Sequence, residues 1–359
     1  MIHGMIMAGG GGTRFWPRSR QDRPKQFLSL TGGRSLLQQA FDRLEGVVPA
    51  EHAWVITAER YRDETARQLP ALPPDHIVGE PCGRDTGPCI ALGAALIARQ
   101  DADAIMVVTP ADHVIEPYQE FTRAVQAALR VAEEKTDALV TIGVPPTYPA
   151  TGYGYIQRGT EIVRRQGLDI CRVKGFREKP QADVAETMVA SGDYLWNSGI
   201  FIWRTAAILK EVARQQPAIH AAVQRIAAAW PSSARLETFG REYEALARIS
   251  IDFAVMEKAS EVWVVPAPFR WDDVGSWLAL ERLHPQDAEG NTVLAGHCGI
   301  DTRNCIVVAD EGQFVATVGV EDLIIIHEGD AILIAHRAQE AGIRRIVDLL
   351  KHKGLDKHL

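Results

Sequence analysis

Met5-Ile6-Met7-Ala8-Gly9-Gly10-Gly11-Gly12-Thr13-Arg14-Phe15-Trp16-Pro17-Arg18 is the stretch on which the reading of this chain turns. An apolar run of strand length breaks into four consecutive glycines, whose bare backbone lets amide groups come close to a ligand. Arg14 sits two residues past the last glycine, and Lys25 follows in Pro24-Lys25-Gln26-Phe27. A planar guanidinium fork and a mobile ammonium together suit a polyphosphate. Two well-known phosphate loops are excluded. Counted from Gly9 or Gly10, the third position of G-x-G-x-x-G falls on Arg14 or Phe15, and no Lys-Ser or Lys-Thr follows the glycines as a Walker A loop requires.

Outward from this stretch, short apolar runs recur at 53–57, 76–79, 104–109 and 138–144, separated by segments with helical spacing at 35–48, 87–99 and 117–134. Ser35 and Gln38 fit a capping box at the first of these helices. Residues 87–99 are apolar nearly all round, which predicts a buried helix. Strands alternating with helices imply parallel pairing through crossovers, hence a three-layer α/β sheet. From 150 to 285 the rhythm loosens: strands are expected at 153–158, 170–177, 199–204 and 261–266, and helices at 181–191, 205–215, 218–229 and 241–258. No Pro/Gly/Ser-rich linker intervenes, so 1–285 reads as one domain. After His284-Pro285, short β-rich runs separated by Gly, Asn or Asp predict a small β-rich domain over 286–359, closed by a helix over 338–352.

Composition narrows the function class. A net charge of −7 and the lack of an extended basic patch argue against a nucleic-acid partner. The five cysteines are scattered and form no C-x-x-C pair, which speaks against a disulfide framework or zinc site and for a reducing compartment. No signal peptide or membrane span is read, so the expectation is a cytoplasmic protein without a membrane partner.

Several motifs add chemistry. Asp112, in Thr109-Pro110-Ala111-Asp112-His113, lies just past the carboxyl end of an expected strand, where open α/β sheets bind ligands. It is positioned to reach a divalent cation held by phosphates, or else to cap a turn. Phe176-Arg177-Glu178-Lys179-Pro180 pairs a carboxylate with an ammonium, as a clamp on a sugar phosphate or as a solvated turn. Gly152-Tyr153-Gly154-Tyr155 and Trp196-Asn197-Ser198-Gly199 combine aromatics, an amide and small residues in the manner of a sugar pocket. In Trp271-Asp272-Asp273-Val274-Gly275-Ser276-Trp277, one of two aspartates is a candidate second oxygen ligand for a cation at Asp112. No Ser-His-Asp set or H-E-x-x-H is found, and none is needed if a sugar phosphate, already largely ionised at neutral pH, is the nucleophile.

Taken in order, these motifs resemble the sugar-1-phosphate nucleotidyltransferases, and among them the mannose-1-phosphate guanylyltransferases, from residue 5 to about residue 336. The resemblance rests on G-G-x-G-x-R…P-K (Gly9 to Lys25), Glu80-Pro81-Cys82-Gly83-Arg84, F-x-E-K-P (Phe176 to Pro180), W-N-S-G-I-F and W-x-D-V-G-S-W. It departs where Asp85-Thr86-Gly87-Pro88 replaces the usual Asn-Thr-Ala-Pro. The resemblance implies a Rossmann-like, GT-A-like catalytic domain with a mostly parallel sheet, and a β-helix-like C-terminal domain. It implies GTP and mannose 1-phosphate as substrates, Mg²⁺ as cofactor and a homodimer. It assigns Ala8, Gly9, Gly10, Gly11, Gly12, Thr13, Glu80, Arg84, Pro110 and Ala111 to the nucleotide, with Glu80 on the guanine. Arg14 and Lys25 go to the departing pyrophosphate, Asp112 and Asp273 to the metal, and Gly154, Glu178, Lys179 and Asn197 to the sugar phosphate. The chain lacks the cupin-type isomerase domain of longer bifunctional relatives, so no isomerase activity is expected. A related enzyme with another sugar or base, and a binding protein without turnover, are the alternatives.

Overall fold

The apolar run before the glycines is strand β1 (Ile2–Ala8). The computed structural model describes residues 1–359, and the strands that follow are β2 (Ala53–Ala58), β3 (Ile77–Glu80), β4 (Ile105–Pro110), β5 (Val114–Glu116), β6 (Leu139–Val144), β7 (Gly154–Arg165), β8 (Leu168–Glu178), β9 (Tyr194–Arg204) and β10 (Val262–Pro266). All but β5 join one nine-stranded sheet in the order β3-β2-β1-β4-β9-β6-β10-β8-β7. The strands expected from simple alternation, β1 to β4, pair in parallel, as does β6 with β10. The strands contributed by residues 154–204 pair antiparallel with their neighbours.

Successive residues of β1 show why helices cover both faces, since side chains alternate across a strand. Met5 is buried against helix 86–100, in one core with Ile90, Leu92 and Leu96. Its neighbour Gly4 faces Leu44 and Val48 on the opposite side. The helix over 86–100 is buried from Gly87 to Ile97, and Ile208, Val212, Ile219 and Val223 of the helices over 205–215 and 217–229 complete its surroundings.

Contacts divide the chain into two units. The first comprises Met1–Gly9, Ala40–Ala111 and Ile115–Trp271; the second comprises Gly10–Gln39, Asp112–Val114 and Asp272–Leu359. In the second, β11 (Arg270–Asp272) leads into β12 (Thr292–Leu294), β13 (Gly296–Arg303), β14 (Ile306–Val308), β15 (Phe314–Glu321), β16 (Leu323–Glu328) and β17 (Ala331–His336). Strands β12, β14 and β16 stack in parallel, with Thr292 beside Ile306 beside Ile324, while β13 pairs with β15, so the chain winds as a coil. Strand β17 returns antiparallel on β16.

The segment after the glycines belongs to this unit for a simple reason. Residues 10–35 form only one turn of 3₁₀ helix, at Lys25–Phe27, yet carry Phe15, Trp16, Leu28 and Leu30. These side chains are buried with Trp277, Ile306, Val308, Ile324 and Ile326 in a single core. Burying a large apolar side chain stabilises by roughly 1.5–3 kcal/mol, which is what anchors a segment with so little regular structure.

Two expected elements differ. The helix over 241–258 is broken: a helix ends at Glu244, and a short one begins at Ile251 with Ser250 as its cap, accepting from the Phe253 N–H. Between them the Ile249 N–H and C=O bond Arg84 and Gly87, so the backbone is spent on another partner. The strand expected from 199 starts at Tyr194, which places Asn197 within β9. The closing helix runs over 343–352 after a 3₁₀ stretch. No helix is long and apolar enough to cross a membrane.

Candidate active site

The chain passes from one unit to the other at three of the motifs: between Gly9 and Gly10, between Ala111 and Asp112, and between Trp271 and Asp272. Each unit's share of the candidate residues has its own geometry.

In the second unit the buried Lys25 is the organising group. Its ammonium donates to Asp112 Oδ2 at 2.8 Å and to the backbone carbonyl of Asp273, partners 87 and 248 residues away in the chain. A lysine has three such donors, so one N–H remains. Asp112 is 39% exposed. Burial works against its charge, but Lys25 and then His113 outweigh it and hold the carboxyl down at about 2. His113 lies 3.7 Å from the other carboxylate oxygen.

The bonds of Asp272, the first of the two tandem aspartates, are local. Asp272 is engaged: its carboxylate accepts both Arg282 nitrogens, at 2.5 and 3.1 Å, and the Val274 N–H at 2.7 Å. Val274 adopts a left-handed backbone with φ of 47°, unusual for a β-branched residue, and its fully buried side chain holds it there. The next residue back, Asp273, offers its backbone carbonyl to the Lys25 ammonium. No cluster of three or more His, Cys, Asp or Glu side chains is gathered anywhere. A pair of carboxylates with the remaining positions left to phosphate and water is how Mg²⁺ is commonly held, whereas Zn²⁺ and Ca²⁺ want a fuller protein shell. The donor set therefore fits the expected cation. Arg14 lines a cleft with Gly275 and Ser276, two and three residues beyond Asp273.

In the first unit Glu80 stands at the end of β3. It is 5% exposed and accepts a short hydrogen bond from the Tyr243 hydroxyl. Burial pushes its carboxyl up to about 7, against the hydrogen bonds of Tyr243 and Cys89. A Cβ at Gly9 would sit 2.9 Å from Glu80 Oε2, so a side chain here would require the Glu80 carboxyl to shift, while Gly10 faces open space. Ala8, Pro110 and Ala111 are buried at the ends of β1 and β4, tied by the Ala111 N–H to Met7 and by Thr57 Oγ1 to Ala8. Arg84 donates to the Tyr243 and Glu244 carbonyls, an anchoring role not read from sequence.

The departure at Asp85-Thr86-Gly87 has a local cause. Asp85 caps the helix over 86–100 with φ of 68°, accepting from the Thr86 N–H at 2.8 Å. Asn and Asp are both favoured helix caps. A Cβ at Gly87 would lie 2.7 Å from the Ile249 carbonyl, which bonds the Gly87 N–H, so alanine does not fit without movement.

The four residues that the resemblance assigns to the sugar phosphate come together. Lys179 pairs with Glu178 at 2.8 Å, and its N–H bonds the Tyr153 carbonyl. A Cβ at Gly154 would lie 2.5 Å from Glu178 Oε2. Tyr153 and Trp196 meet edge to face at 5.1 Å, with Tyr148 and Trp271 completing an aromatic cluster. Trp196 is 3% exposed and thus supports Asn197 rather than offering a platform. Sequence reasoning missed one member: Asn197 Nδ2 donates to Asp252 Oδ1 at 2.7 Å. Burial first and Glu178 second raise the Asp252 carboxyl to about 6. Reading 241–258 as one helix hid this residue; the Ser250-Ile251-Asp252 start signal was the available clue.

A strand running into a glycine turn, two aspartates gathered by a buried lysine and a β-coil second unit define an α/β nucleotidyltransferase. A family model described as nucleotidyl transferase matches residues 3–290, and one described as the mannose-phosphate isomerase/GMP-like β-helix domain matches 295–350. The chain is 39% identical over 362 residues to the mannose-1-phosphate guanylyltransferase of Escherichia coli K12, covering 99% of this chain and 75% of that protein. It is 40% identical to that of Klebsiella pneumoniae, covering 98% and 74%. The crystal structure of a Thermus thermophilus protein described as mannose-1-phosphate geranyltransferase superposes with a TM-score of 0.86 at 36% identity, over 98% of this chain and 99% of that one. The chain belongs to the mannose-1-phosphate guanylyltransferase family of nucleotidyl transferases.

Proposed function

We propose that this protein transfers GMP from GTP to mannose 1-phosphate, releasing pyrophosphate, by in-line attack of the sugar phosphate on the α-phosphorus. The observation that carries the reading is Lys25, buried and holding both the Asp112 carboxylate and the Asp273 carbonyl. A cation spent in this way organises a charge-neutralising site rather than merely binding an anion. The nucleophile arrives ionised, so the work left to the protein is positioning and electrostatics.

The backbone amides of Gly9 to Thr13 cradle the phosphates in this proposal. Arg14 and the remaining ammonium hydrogen of Lys25 meet the oxygens of the departing pyrophosphate. Asp112 and Asp273 hold a divalent cation, Mg²⁺, which when bound offsets the negative charge of the phosphates. Lys179 takes the sugar phosphate; Glu178 and Asn197, with the backbone at Gly154, take sugar hydroxyls. Glu80 accepts from the guanine N1 and N2 donors, and Arg84, Pro110 and Ala111 frame the nucleotide. Residues 1–285 then hold all the motifs of the reaction, with 286–359 as the β-helical domain. The protein acts in this proposal as a cytoplasmic homodimer, with no nucleic-acid or membrane partner.

Chromatographic detection of GDP-mannose from GTP and mannose 1-phosphate, with and without chelator, tests the reading. Product that depends on both substrates and on Mg²⁺ is expected. No product under any metal condition would overturn it.

A further inference from the structure

The sequence places no chemistry in the C-terminal β-rich region, yet one of its side chains shares a cleft with Arg14. The cleft, about 340 Å³, is walled by Arg14, Gly275, Ser276, Glu340 and Arg344. Arg344 lies in the first turn of the helix Ile343–His352, and the buried Ile343 and Val347 fix that helix in the core of the second unit. Its position is therefore set by packing and not by a loose tail.

The charges in this cleft do not balance. Arg14 and Arg344 make no ion pair or hydrogen bond with the protein. Elsewhere in the same unit guanidinium groups find acids: Arg18 with Glu328 at 2.6 Å, Arg20 with Asp330 at 2.7 Å, and Arg337 with Glu281 at 2.6 Å. The one carboxylate on the cleft wall, Glu340, accepts from the Leu278 N–H at 2.9 Å. Two unpaired guanidinium groups in one cleft repel each other until a multivalent anion lies between them, and their planar forks match phosphate oxygens. Gly275 and Ser276 lie two and three residues after Asp273, so the cleft is close in the chain to the proposed site of phosphate chemistry.

We propose that Arg344 is a second pyrophosphate-binding cation, which with Arg14 receives the β,γ-phosphates of the incoming nucleotide and the pyrophosphate that leaves. The proposal rests on the nucleotidyl-transfer reading above. It makes the terminal helix of the β-rich region a part of the substrate site.

The test runs the reaction both ways with the full chain and the variants Arg344→Ala, Arg344→Lys and Arg345→Ala. Loss of a charge-assisted contact should raise the KM for pyrophosphate in reverse, and for GTP forward, by roughly 10- to 100-fold in Arg344→Ala. The KM values for mannose 1-phosphate and GDP-mannose should stay within about twofold, Arg344→Lys should recover part of the loss, and Arg345→Ala should match wild type. Calorimetric binding of pyrophosphate and of inorganic phosphate to the same proteins gives a readout independent of turnover. Wild type that binds pyrophosphate through Arg344 without turning over would keep the arginine pair and remove the transfer reaction. Normal pyrophosphate KM in Arg344→Ala, a uniform rise in all four KM values, or phosphate bound as tightly as pyrophosphate would each overturn the proposal.

Discussion

Replacing Glu80 by glutamine probes the nucleotide side of the site and the stability of the fold in one variant. In the folded protein burial lifts this carboxyl from 4.5 to about 7, with Tyr243 and Cys89 pulling the other way. The folded state thus holds the proton more tightly than the unfolded chain does. The stability this contributes is fully present below pH 4.5 and is lost as pH rises through 7. The whole effect is roughly 3 kcal/mol, of which about 2–3 kcal/mol falls between pH 5 and pH 8. Glutamine accepts the Tyr243 hydrogen bond but carries no titrating proton, so the variant should gain on wild type by that amount across the interval. Urea denaturation of both proteins at intervals from pH 5 to 8 reads this directly. Parallel stability profiles would refute the reasoning that Glu80 is strained by burial. The same group links to function: if the carboxylate accepts from guanine, GTP affinity in wild type should rise about tenfold per pH unit up to pH 7 and then level. ATP affinity should lack this limb, and Glu80→Gln should cost GTP more than ATP. Equal losses for both nucleotides would remove Glu80 from base recognition.

Further predictions address the other residues. Arg14→Ala and Asp273→Asn should each lower kcat by on the order of 10²–10³ with circular dichroism unchanged, since each deletes one preorganised electrostatic contact; near-normal turnover sinks the role of that residue. Asp272→Ala should instead unfold at lower denaturant, because Arg282 and the Val274 N–H lose their acceptor; a stability loss of about 1–3 kcal/mol is expected, and an unchanged midpoint would contradict it. Asp252→Asn should raise the KM for mannose 1-phosphate while leaving the KM for GTP unchanged, with a stability gain above pH 6, where the native carboxylate is disfavoured by burial and by Glu178; an altered GTP KM instead would place Asp252 outside the sugar side.

Much of this was legible because the relevant signals are local. The glycine turn, the strand ends carrying Glu80 and Asp112, and the Ser35–Gln38 capping box, whose two reciprocal bonds are both 3.1 Å, are written in adjacent residues. What was not legible depends on tertiary pairing. That residues 10–35 join the β-coil core follows from Phe15 and Trp16 meeting Ile306 and Ile324, partners that no spacing along the chain reveals. The tie of Asp272 to Arg282, ten residues on, is likewise a pairing that residue chemistry alone does not reveal. Asp252 and Arg344 were missed because each reads as an ordinary charged helix residue until the fold sets it beside Asn197 or Arg14.

The central claim meets its most direct test in pyrophosphate release measured over four NTPs crossed with the 1-phosphates of mannose, glucose, N-acetylglucosamine and fucose, with and without Mg²⁺. The account predicts release with GTP and mannose 1-phosphate in the presence of Mg²⁺ well above every other pair. Release from none of the pairs, or preferential release with another base or sugar, would contradict it.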